Sequence, residues 1–376
     1  MDVYEKSLKL HRELKGKLRI SSKKSIKTKK DLSLLYTPGV AEPSKEIAKR
    51  PSSIYAYTGK GNSVAVVSDG SSVLGLGNIG GAASLPVMEG KCAIFSEFAG
   101  IDAFPIVLAT KDVGEIVATV KNIAPGFGGI NLEDISAPRC FEIEEKLQDL
   151  KIPVFHDDQH GTAIVVLAAL INALKVVEKN MSDIKVVIFG AGAAGIATAK
   201  LIKPKKLVMI DSKGTINSKR KDLNKYKMQV LKSKKYLEVG SLEKAFEKAD
   251  VFVGVSGKGK IDPKLIKLMN SKPIIFALSN PNPEIMPDKA KKAGAVVVAT
   301  GRSDFENQVN NALAFPGIFK GALEGRVKRI DDNMKITAAL AIADLVPNPT
   351  ANNIIPSIFN KNLVNSVANA VKKANN

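Results

Sequence analysis

The sequence has few of the residues that cross-link small secreted proteins or anchor a chain in a bilayer. Its two cysteines, Cys92 and Cys140, are too few for a disulfide framework. Both stand among apolar residues, which predicts buried free thiols and a reducing, cytoplasmic location. The longest apolar run, Ala163 to Leu174, is shorter than the roughly 20 residues that a membrane span requires. We therefore expect a buried helix there and no membrane contact.

Aromatic and acidic residues are also scarce. The chain has no tryptophan, 5% aromatic residues, and 56 Lys and Arg against 37 Asp and Glu, a net charge of +19. A basic chain of this kind suggests a nucleic-acid-binding protein. The charge is uneven, however, at +8 in residues 1–30, −7 in residues 31–160 and +18 in the remainder. Because the aromatic residues on which nucleic-acid bases stack are also few, we expect no specific nucleic-acid partner.

A length of 376 residues predicts two or three domains. Residues 1–30 indicate a helix, with leucines at helical spacing from Leu10 to Leu18, and then a basic connector. This helix would pack on the body of the protein or on a partner subunit. Residues 31–158 alternate short β-rich runs with helical patterns, which predicts an α/β catalytic domain. Residues 159–376 contain five apolar strand-like runs separated by helical spacers, which predicts a doubly wound, Rossmann-like parallel sheet followed by C-terminal helices.

A glycine motif follows the first strand of that second domain. Gly190, Gly192 and Gly195 come directly after the strand KVVIF and open an alanine-rich helix. Asp211 ends the next predicted strand, where an acidic residue typically binds the ribose of a dinucleotide. The motif, the strand and the acidic residue together predict a dinucleotide site. Its loop residues are Gly190, Ala191, Gly192, Ala193, Ala194 and Gly195.

The choice between NAD and NADP stays open at this point. Asp211 favours NAD, because its carboxylate would repel a ribose phosphate. Lys213, Lys219 and Arg220 follow closely and could hold that phosphate instead.

A second glycine motif occurs in the first domain. Gly75, Gly77 and Gly80 also follow a strand, but a proline comes soon after and no acidic strand end stands at the right distance. We interpret this motif as a close-packed turn that shapes a substrate pocket.

Two pairs of acidic residues each follow an apolar run. Glu133 and Asp134 follow FGGINL, and Asp157 and Asp158 follow IPVF. Carboxylates at two strand ends could bind a hard divalent cation such as Mg²⁺ or Mn²⁺. The alternative is that Asp158 caps a helix and Glu133 is solvated.

Lys91 and Tyr36 are candidate proton-transfer residues. Lys91 stands in an apolar stretch, where desolvation would lower its pKa and make it a general base. The alternative is a surface lysine whose charged end reaches water. Tyr36 precedes a Pro-Gly turn that could present its hydroxyl to a cleft, and its alternative is core packing.

Taken together, the motifs resemble malic enzymes, specifically the short bacterial and archaeal form. The strings that carry the resemblance span most of the chain and are DLSLLYTPGVAEPS, KGNSVAVVSDGSSVLGLGNIGGAASLPVMEGK, FGGINLEDI, PVFHDDQHGTA, FGAGAAG, FALSNPNPEI and ATGRSDFENQVNNALAFP.

This resemblance implies a role for each matched residue. It implies Tyr36 as general acid, Lys91 as general base and substrate contact, Asp157 as the residue that orients Lys91, Glu133, Asp134 and Asp158 as metal ligands, Asn280 as a contact of substrate and cofactor, and Asn311 as a contact of substrate. One position departs from the long form of the family, in which an arginine precedes the glycine motif and binds a malate carboxylate. Ser72 stands there in this chain.

The resemblance also implies the reaction. We expect oxidative decarboxylation of (S)-malate to pyruvate and CO₂ with reduction of NAD or NADP, dependent on Mg²⁺ or Mn²⁺, together with oxaloacetate decarboxylation. It implies a homodimer as the minimal assembly and leaves open whether Tyr36 serves its own site or that of a partner. Another metal-dependent decarboxylating hydroxyacid dehydrogenase is the alternative among enzymes.

Overall fold

The structure is a computed structural model and describes residues 2–73, 75–256 and 260–375. Within these residues the strands form two sheets, a four-stranded sheet in the order β2-β1-β3-β4 and a six-stranded sheet in the order β10-β9-β8-β5-β6-β7. The strands are β1 (Ser63–Ser68), β2 (Asp102–Val107), β3 (Gly129–Leu132), β4 (Val154–His156), β5 (Lys185–Phe189), β6 (Lys206–Asp211), β7 (Gly214–Thr215), β8 (Val251–Gly254), β9 (Ile274–Ala277) and β10 (Val297–Thr300).

Helices cover both sheets. The α-helices are α1 (Val3–Leu14), α2 (Lys29–Leu35), α3 (Ala41–Lys49), α4 (Ile54–Tyr57), α5 (Gly81–Ile94), α6 (Val113–Ile123), α7 (Arg139–Leu147), α8 (Asp157–Val177), α9 (Ala193–Leu201), α10 (Lys225–Leu231), α11 (Leu242–Phe246), α12 (Pro263–Ile266), α13 (Pro287–Lys292), α14 (Phe315–Glu324), α15 (Asp332–Asp344) and α16 (Leu363–Ala374). A π-helical turn spans Phe95–Ala99, and short 3₁₀ turns span Pro51–Ser53, Gly59–Asn62, Ala124–Gly126 and Asn311–Leu313.

The strand pairing confirms the predicted α/β fold class. All strand pairs are parallel except β6 with β7, which is antiparallel. The five strands predicted in the second half are β5, β6, β8, β9 and β10, and the short β7 was not predicted. Alternate residues of β5 enter separate apolar cores on the two faces of the sheet, with Val186 and Ile188 on one side and Val187 on the other. This burial on both faces explains the continuous apolar runs.

The register places functional loops side by side at the carboxyl edge of each sheet. In the first sheet, Leu132 of β3 pairs with His156 of β4, so the residues that follow them, Glu133 and Asp157, leave the sheet together. In the second sheet, Phe189 of β5 pairs with Gly254 of β8, so the glycine loop after β5 lies beside the loop after β8. The carboxyl ends of parallel strands are where such folds bind their ligands.

α8 connects the two halves without an intervening loop. It begins at Asp157, directly after β4, and its apolar residues pack in the core that covers the second sheet. By length and composition α8 is the one helix among the described residues that could cross a membrane, but 72% of that apolar window is buried inside the protein. This burial agrees with the buried helix that the sequence predicted. The predicted boundary between residues 158 and 159 falls in the first turn of α8, and the domain limits stay predictions.

The N-terminal segment, from α1 to α3, packs only lightly on the rest of the chain. α1, α2 and α3 contain no buried residue, and Leu10 and Leu14 of α1 are about half exposed. α1 ends at Leu14, where Lys15 takes a left-handed conformation, so Leu18 lies outside the helix. Lys17 attaches the segment to α5 through its Nζ, which donates to the carbonyl oxygen of Pro86 at 2.6 Å.

Candidate active site

Lys91 is the centre of a buried ionic cluster. It lies near the C-terminal end of α5 and is 8% exposed. Its Nζ donates to Oε1 of Glu133 at 2.7 Å and to Oδ2 of Asp157. This burial excludes the surface-lysine interpretation. Glu133 is in turn held by Asn131, a fully buried residue of β3 whose Nδ2 donates to Oε2 of Glu133 at 2.9 Å.

Three carboxylates converge beside Lys91. One carboxylate oxygen each of Glu133, Asp134 and Asp158 lies within 4.8 Å of the other two. The backbone N–H of Asp134 donates to Oδ2 of Asp158 at 2.7 Å, which joins the loop after β3 to the start of α8. Asp158 is the second residue of α8 and not its cap, so the capping interpretation is wrong. These are the three residues for which the family resemblance implied a role as metal ligands.

The electrostatics of this cluster suit a divalent cation. Burial, together with repulsion between the carboxylates, raises the pKa of Glu133 to about 7 and that of Asp134 to about 9. The pKa of Asp158 is raised to about 6, first by burial and then by the charge of Asp157. Oxygen ligands of this number and charge are those that Mg²⁺ and Mn²⁺ prefer. A bound cation would offset the repulsion that raises these pKa values.

The pKa of Lys91 departs from the sequence-based expectation. Burial favours the neutral amine, as expected, but the negative charges of Asp157 and Glu133 outweigh burial and hold the pKa of Lys91 above its ordinary value. The sequence shows the apolar neighbours of Lys91 along the chain and not the carboxylates that fold against it. The expectation of a lowered pKa is therefore wrong for the cluster without a cation.

Tyr36 lies apart from this cluster. It follows α2 in the N-terminal segment and is 64% exposed, which excludes core packing. Its backbone N–H donates to Leu32 and its carbonyl oxygen accepts from Val40. Among the residues that the structure describes, no hydrogen bond joins the hydroxyl of Tyr36 to Lys91 or to the carboxylates.

The glycine loop after β5 has the geometry that phosphate binding requires. Gly190 has a φ of +123°, and a Cβ at Gly195 would lie 1.8 Å from the carbonyl oxygen of Gly190. A Cβ at Gly190 would lie 2.5 Å from the carbonyl oxygen of Val255, so neither position has room for a side chain. A Cβ at Gly192 would meet nothing within 4 Å, which leaves open space above the loop. Such a loop and helix N-terminus can receive a pyrophosphate.

Asp211 is already paired with two cations. Arg220 donates to both of its carboxylate oxygens, at 2.8 and 3.0 Å, and the Nζ of Lys227 donates to Oδ2 at 2.6 Å. Burial opposes ionisation of Asp211, but the hydrogen bonds from Arg220 and Lys227 outweigh it and lower its pKa to about 2. Lys213 instead pairs with Asp222 at 3.0 Å.

The second glycine motif meets the cofactor half of the chain. A Cβ at Gly75 would lie 2.8 Å from Cδ of Pro281 and 3.2 Å from the carbonyl oxygen of Asn280. Asn280 itself donates from Nδ2 to the carbonyl oxygen of Gly301 at 3.1 Å. The loop that carries Asn280 therefore contacts the Gly75 motif, where the two halves of the chain meet. This contact agrees with the interpretation of the Gly75 motif as a close-packed turn.

Asn311 lies beside the start of α8. A Cβ at Gly161 would lie 3.2 Å from Cβ of Asn311 and 1.8 Å from Oδ1 of Asp157. Glycine at position 161 therefore leaves room for the carboxylate of Asp157, one turn earlier on the same helix. Asn311 and Asp157 thus approach the same glycine from two elements.

The comparisons with known proteins agree with this geometry. The family model for the malic enzyme N-terminal domain matches residues 15–148, and that for the malic enzyme NAD binding domain matches residues 159–375. The chain belongs to the malic enzyme family. It is 55% identical to the bifunctional malic/malolactic enzyme of Bacillus subtilis, over 100% of this chain and 93% of that protein. It is 50% identical to the NADP-dependent malic enzyme of Halomonas elongata, over 89% of this chain and 80% of that protein.

The structure of this chain is also similar to solved structures of malic enzymes. The crystal structure of the NAD-dependent malic enzyme of Thermotoga maritima superposes with a TM-score of 0.93 at 49% identity, covering 99% of each chain. The predicted family, fold class and nucleotide cofactor are therefore confirmed. The relatives include both NAD-dependent and NADP-dependent enzymes, so their names leave the preference of this chain open.

Two residues of this site were not singled out from the sequence. Phe315 places its ring over Lys91, and Asn131 holds Glu133. Asn131 could have been singled out, because it is the one polar residue in the apolar run that forms β3, and all four residues of that strand are buried. Phe315 could not, because a phenylalanine at the start of an apolar helix is typical of a core.

Proposed function

We propose that this chain catalyses the divalent-metal-dependent oxidative decarboxylation of (S)-malate to pyruvate and CO₂, with reduction of NAD or NADP, and also decarboxylates oxaloacetate. The observation that carries this proposal is the buried pairing of Lys91 with Glu133 and Asp157 beside three converging carboxylates. This arrangement supplies a proton-transfer residue within contact distance of a cation site. An acidic surface without a catalytic role would need no buried lysine, and a structural ion pair would need no cluster of three carboxylates beside it.

We propose Glu133, Asp134 and Asp158 as the ligands of Mg²⁺ or Mn²⁺. Such a cation, when bound, would supply the Lewis acidity that polarises the substrate oxygens. Once the charge of Glu133 is neutralised, burial favours the neutral amine of Lys91, which can then accept the hydroxyl proton of malate. Asp157 stays on the other side of that amine and orients it. Lys91, Asn280 and Asn311 are the proposed contacts of the substrate.

The loop from Gly190 to Gly195 is proposed to bind the pyrophosphate of the dinucleotide, with Asp211 near its ribose. The nicotinamide, when bound, would accept the hydride from the malate carbon. The remaining loop residues are Ala191, Ala193 and Ala194. Their short side chains let the protein backbone of the loop approach the pyrophosphate closely.

We propose that the protein is a homodimer and that Tyr36 donates its proton in the active site of the second copy. The support is the exposed apolar surface of the N-terminal segment, where Leu34 is 63% and Tyr36 64% exposed. Exposed apolar residues over a contiguous segment typically mark a subunit interface. Mixing equal amounts of the inactive variants Y36F and K91A, under conditions in which subunits exchange, should restore about a quarter of wild-type activity overall, because about half of the dimers are then mixed and each mixed dimer has one intact site of two. No recovery, with dimers present by sedimentation, would contradict a shared site.

Both cysteines are free and buried, which supports the proposed location in a reducing cytoplasm.

Steady-state assays test the activity. Malate should be oxidised only when Mg²⁺ or Mn²⁺ and one of the two nucleotides are present, and pyruvate should appear in equal amount to NADH or NADPH. Lactate, isocitrate and tartrate serve as competing substrates, and turnover of one of these in place of malate would favour another decarboxylating hydroxyacid dehydrogenase. A DNA or RNA mobility shift at physiological ionic strength would support the nucleic-acid alternative.

Formation of lactate deserves a separate assay, because the relative in Bacillus subtilis is named a bifunctional malic/malolactic enzyme. Lactate formed from malate without accumulation of reduced nucleotide would add that second reaction to this chain.

A further inference from the structure

Glu144 of α7 is a buried carboxylate outside the proposed cation site. It is 9% exposed, and its hydrogen bonds all reach the segment that opens α8. Its Oε1 accepts from the backbone N–H of His156 at 2.9 Å. Its Oε2 accepts from Nε2 of Gln159 at 3.2 Å and from Nε2 of His160 at 2.9 Å. The three donors flank Asp157 and Asp158 on both sides.

The first turn of α8 needs an external anchor. No side chain of its own segment caps this helix, since His156 at the cap position makes no capping hydrogen bond. A cavity of about 190 Å³ adjoins this turn and is lined by Glu144, His160 and residues of α9 and α15, so Glu144 holds the turn on the side of that cavity. Lys91 and the backbone of Asp134 hold the side chains of Asp157 and Asp158, and the hydrogen bonds to Glu144 hold the turn that carries them.

The charge state of Glu144 suits an acceptor. Burial would raise its pKa, but the charge and hydrogen bond of His160 outweigh burial and lower the pKa of Glu144 to about 2. Ionised, the carboxylate only accepts hydrogen bonds, and charge-assisted bonds of this kind are stronger than neutral ones.

We propose that Glu144 is a positioning residue that orients Asp157 and Asp158 through the first turn of α8 and thereby sets the affinity of the carboxylate cluster for a divalent cation. The inference rests on the proposed function, because it takes Glu133, Asp134 and Asp158 as the cation site. Residues that orient metal ligands from outside typically change metal affinity by about 10- to 100-fold when they are removed.

Neighbouring Glu145 provides a matched control. It lies on the same helix, but its Oε2 accepts from the hydroxyl of Tyr226 at 3.0 Å and from Nζ of Lys225 at 3.2 Å, away from α8. Its side chain is about half exposed. E145Q therefore removes the same charge from the same helix without touching the turn that carries Asp157 and Asp158.

The experiment measures Mn²⁺ and NADH binding separately on the full chain, without malate. Free Mn²⁺ is followed by electron paramagnetic resonance and NADH by its fluorescence, for wild type, E144Q, E144A and E145Q. We expect E144A to raise the Kd for Mn²⁺ about tenfold or more, E144Q to raise it less, and E145Q to leave it unchanged. The Kd for NADH should stay within about twofold of wild type in all of them, because the glycine loop is not touched.

Two results would overturn the inference. One is a Kd for Mn²⁺ within about twofold of wild type in both Glu144 variants. The other is an equal loss of Mn²⁺ and NADH binding, which would indicate a general loss of folding. If E144A does not fold, E144Q decides by the same criteria. Failure of the wild-type chain to bind Mn²⁺ at all would instead refute the proposed cation site, and the inference with it.

Discussion

The Nζ atom of Lys91 lies 4.1 Å from the centre of the Phe315 ring. Lys91 belongs to α5, which packs on the first sheet, whereas Phe315 begins α14 in the second half of the chain. A cation over an aromatic face gains roughly 0.5–2 kcal/mol, more where water is excluded. The amine is therefore enclosed by two carboxylates and one ring, and both halves of the chain contribute to its orientation.

Replacement of Lys91 by alanine should lower kcat/KM for malate by about 10²- to 10⁴-fold, the usual contribution of a general base. The Kd for NADH, measured by fluorescence, should stay unchanged, because the cofactor loop lies on the other sheet. K121A is the control, since the amine of Lys121 pairs with Asp149 at the surface. Retained turnover in K91A would remove Lys91 from the role of base.

Replacement of Asp158 by asparagine should raise the Mn²⁺ concentration needed for half-maximal activity by about tenfold or more, because one charged ligand is lost. The variant E142Q is the control, since Glu142 lies on α7 and pairs with Lys146 at the surface. Titration of activity with Mn²⁺ at saturating malate checks the prediction. An unchanged metal requirement in D158N would count against ligation by Asp158.

The stability of the cation-free protein should fall as pH rises from about 6.5 to about 8. In this window unfolded carboxyl groups, with ordinary pKa values near 4, are ionised. The folded protein still holds protons, because the pKa of Glu133 is about 7 and that of Asp134 about 9. The folded state thus binds more protons than the unfolded state, and the free energy of unfolding decreases with pH.

Urea unfolding followed by circular dichroism measures this slope. D134N should flatten it, because the group with the larger shift is gone, and saturating Mn²⁺ should remove it. A slope that is the same in wild type and D134N would show that Asp134 does not titrate as proposed.

The glycines of the cofactor loop should respond differently to alanine. G195A should destabilise the protein, because the new Cβ would overlap the carbonyl oxygen of Gly190. G192A should leave Tm unchanged, since nothing within the protein lies near its Cβ, and should still weaken NADH binding by occupying space above the loop. Melting curves and NADH fluorescence separate the two effects. Normal NADH binding by G192A would place the pyrophosphate elsewhere.

Arg220 is predicted to govern the choice between NAD and NADP. R220A should lower the ratio of kcat/KM for NADP to that for NAD by about tenfold, because a charge-assisted hydrogen bond to a phosphate contributes about 1.5–3 kcal/mol. The negative charge of Asp211, no longer paired with Arg220, would also repel the ribose phosphate of NADP. K213A should lower the ratio less, because its amine lies against Asp222. An unchanged ratio in R220A would exclude Arg220 as a phosphate contact.

The sequence predicts those parts of the molecule that local pattern determines. Continuous apolar runs indicate β5, β6, β8, β9 and β10, because strands buried on both faces leave no polar alternation. The glycines at 190 and 195 indicate a phosphate loop because only glycine fits there. Local pattern does not say which distant element packs on which. Lys91 is 42 residues from Glu133 and 66 from Asp157, so local pattern predicts neither the ion pairs nor the raised pKa of Lys91, and only the family resemblance implied the pairing with Asp157.

The same limit applies to the neighbours that complete the site. Arg220 and Asp211 are nine residues apart, and the loop between them decides that they pair. Glu144 meets α8 only because α7 packs next to β4, and no periodicity along α7 distinguishes it from Glu145.

α8 carries Asp157 and Asp158 in its first turn and is buried along most of its length, where it packs against α9 and α15 of the second half. The two halves are consequently not interchangeable modules. A chimaera that takes its cofactor half from a relative would also import both aspartates, together with the surface that must meet Glu144 and Lys91. Recombination between malic enzymes should therefore succeed in the loop before β4 or after α8, and fail within the first turn of α8, where the match to the NAD binding domain begins at residue 159.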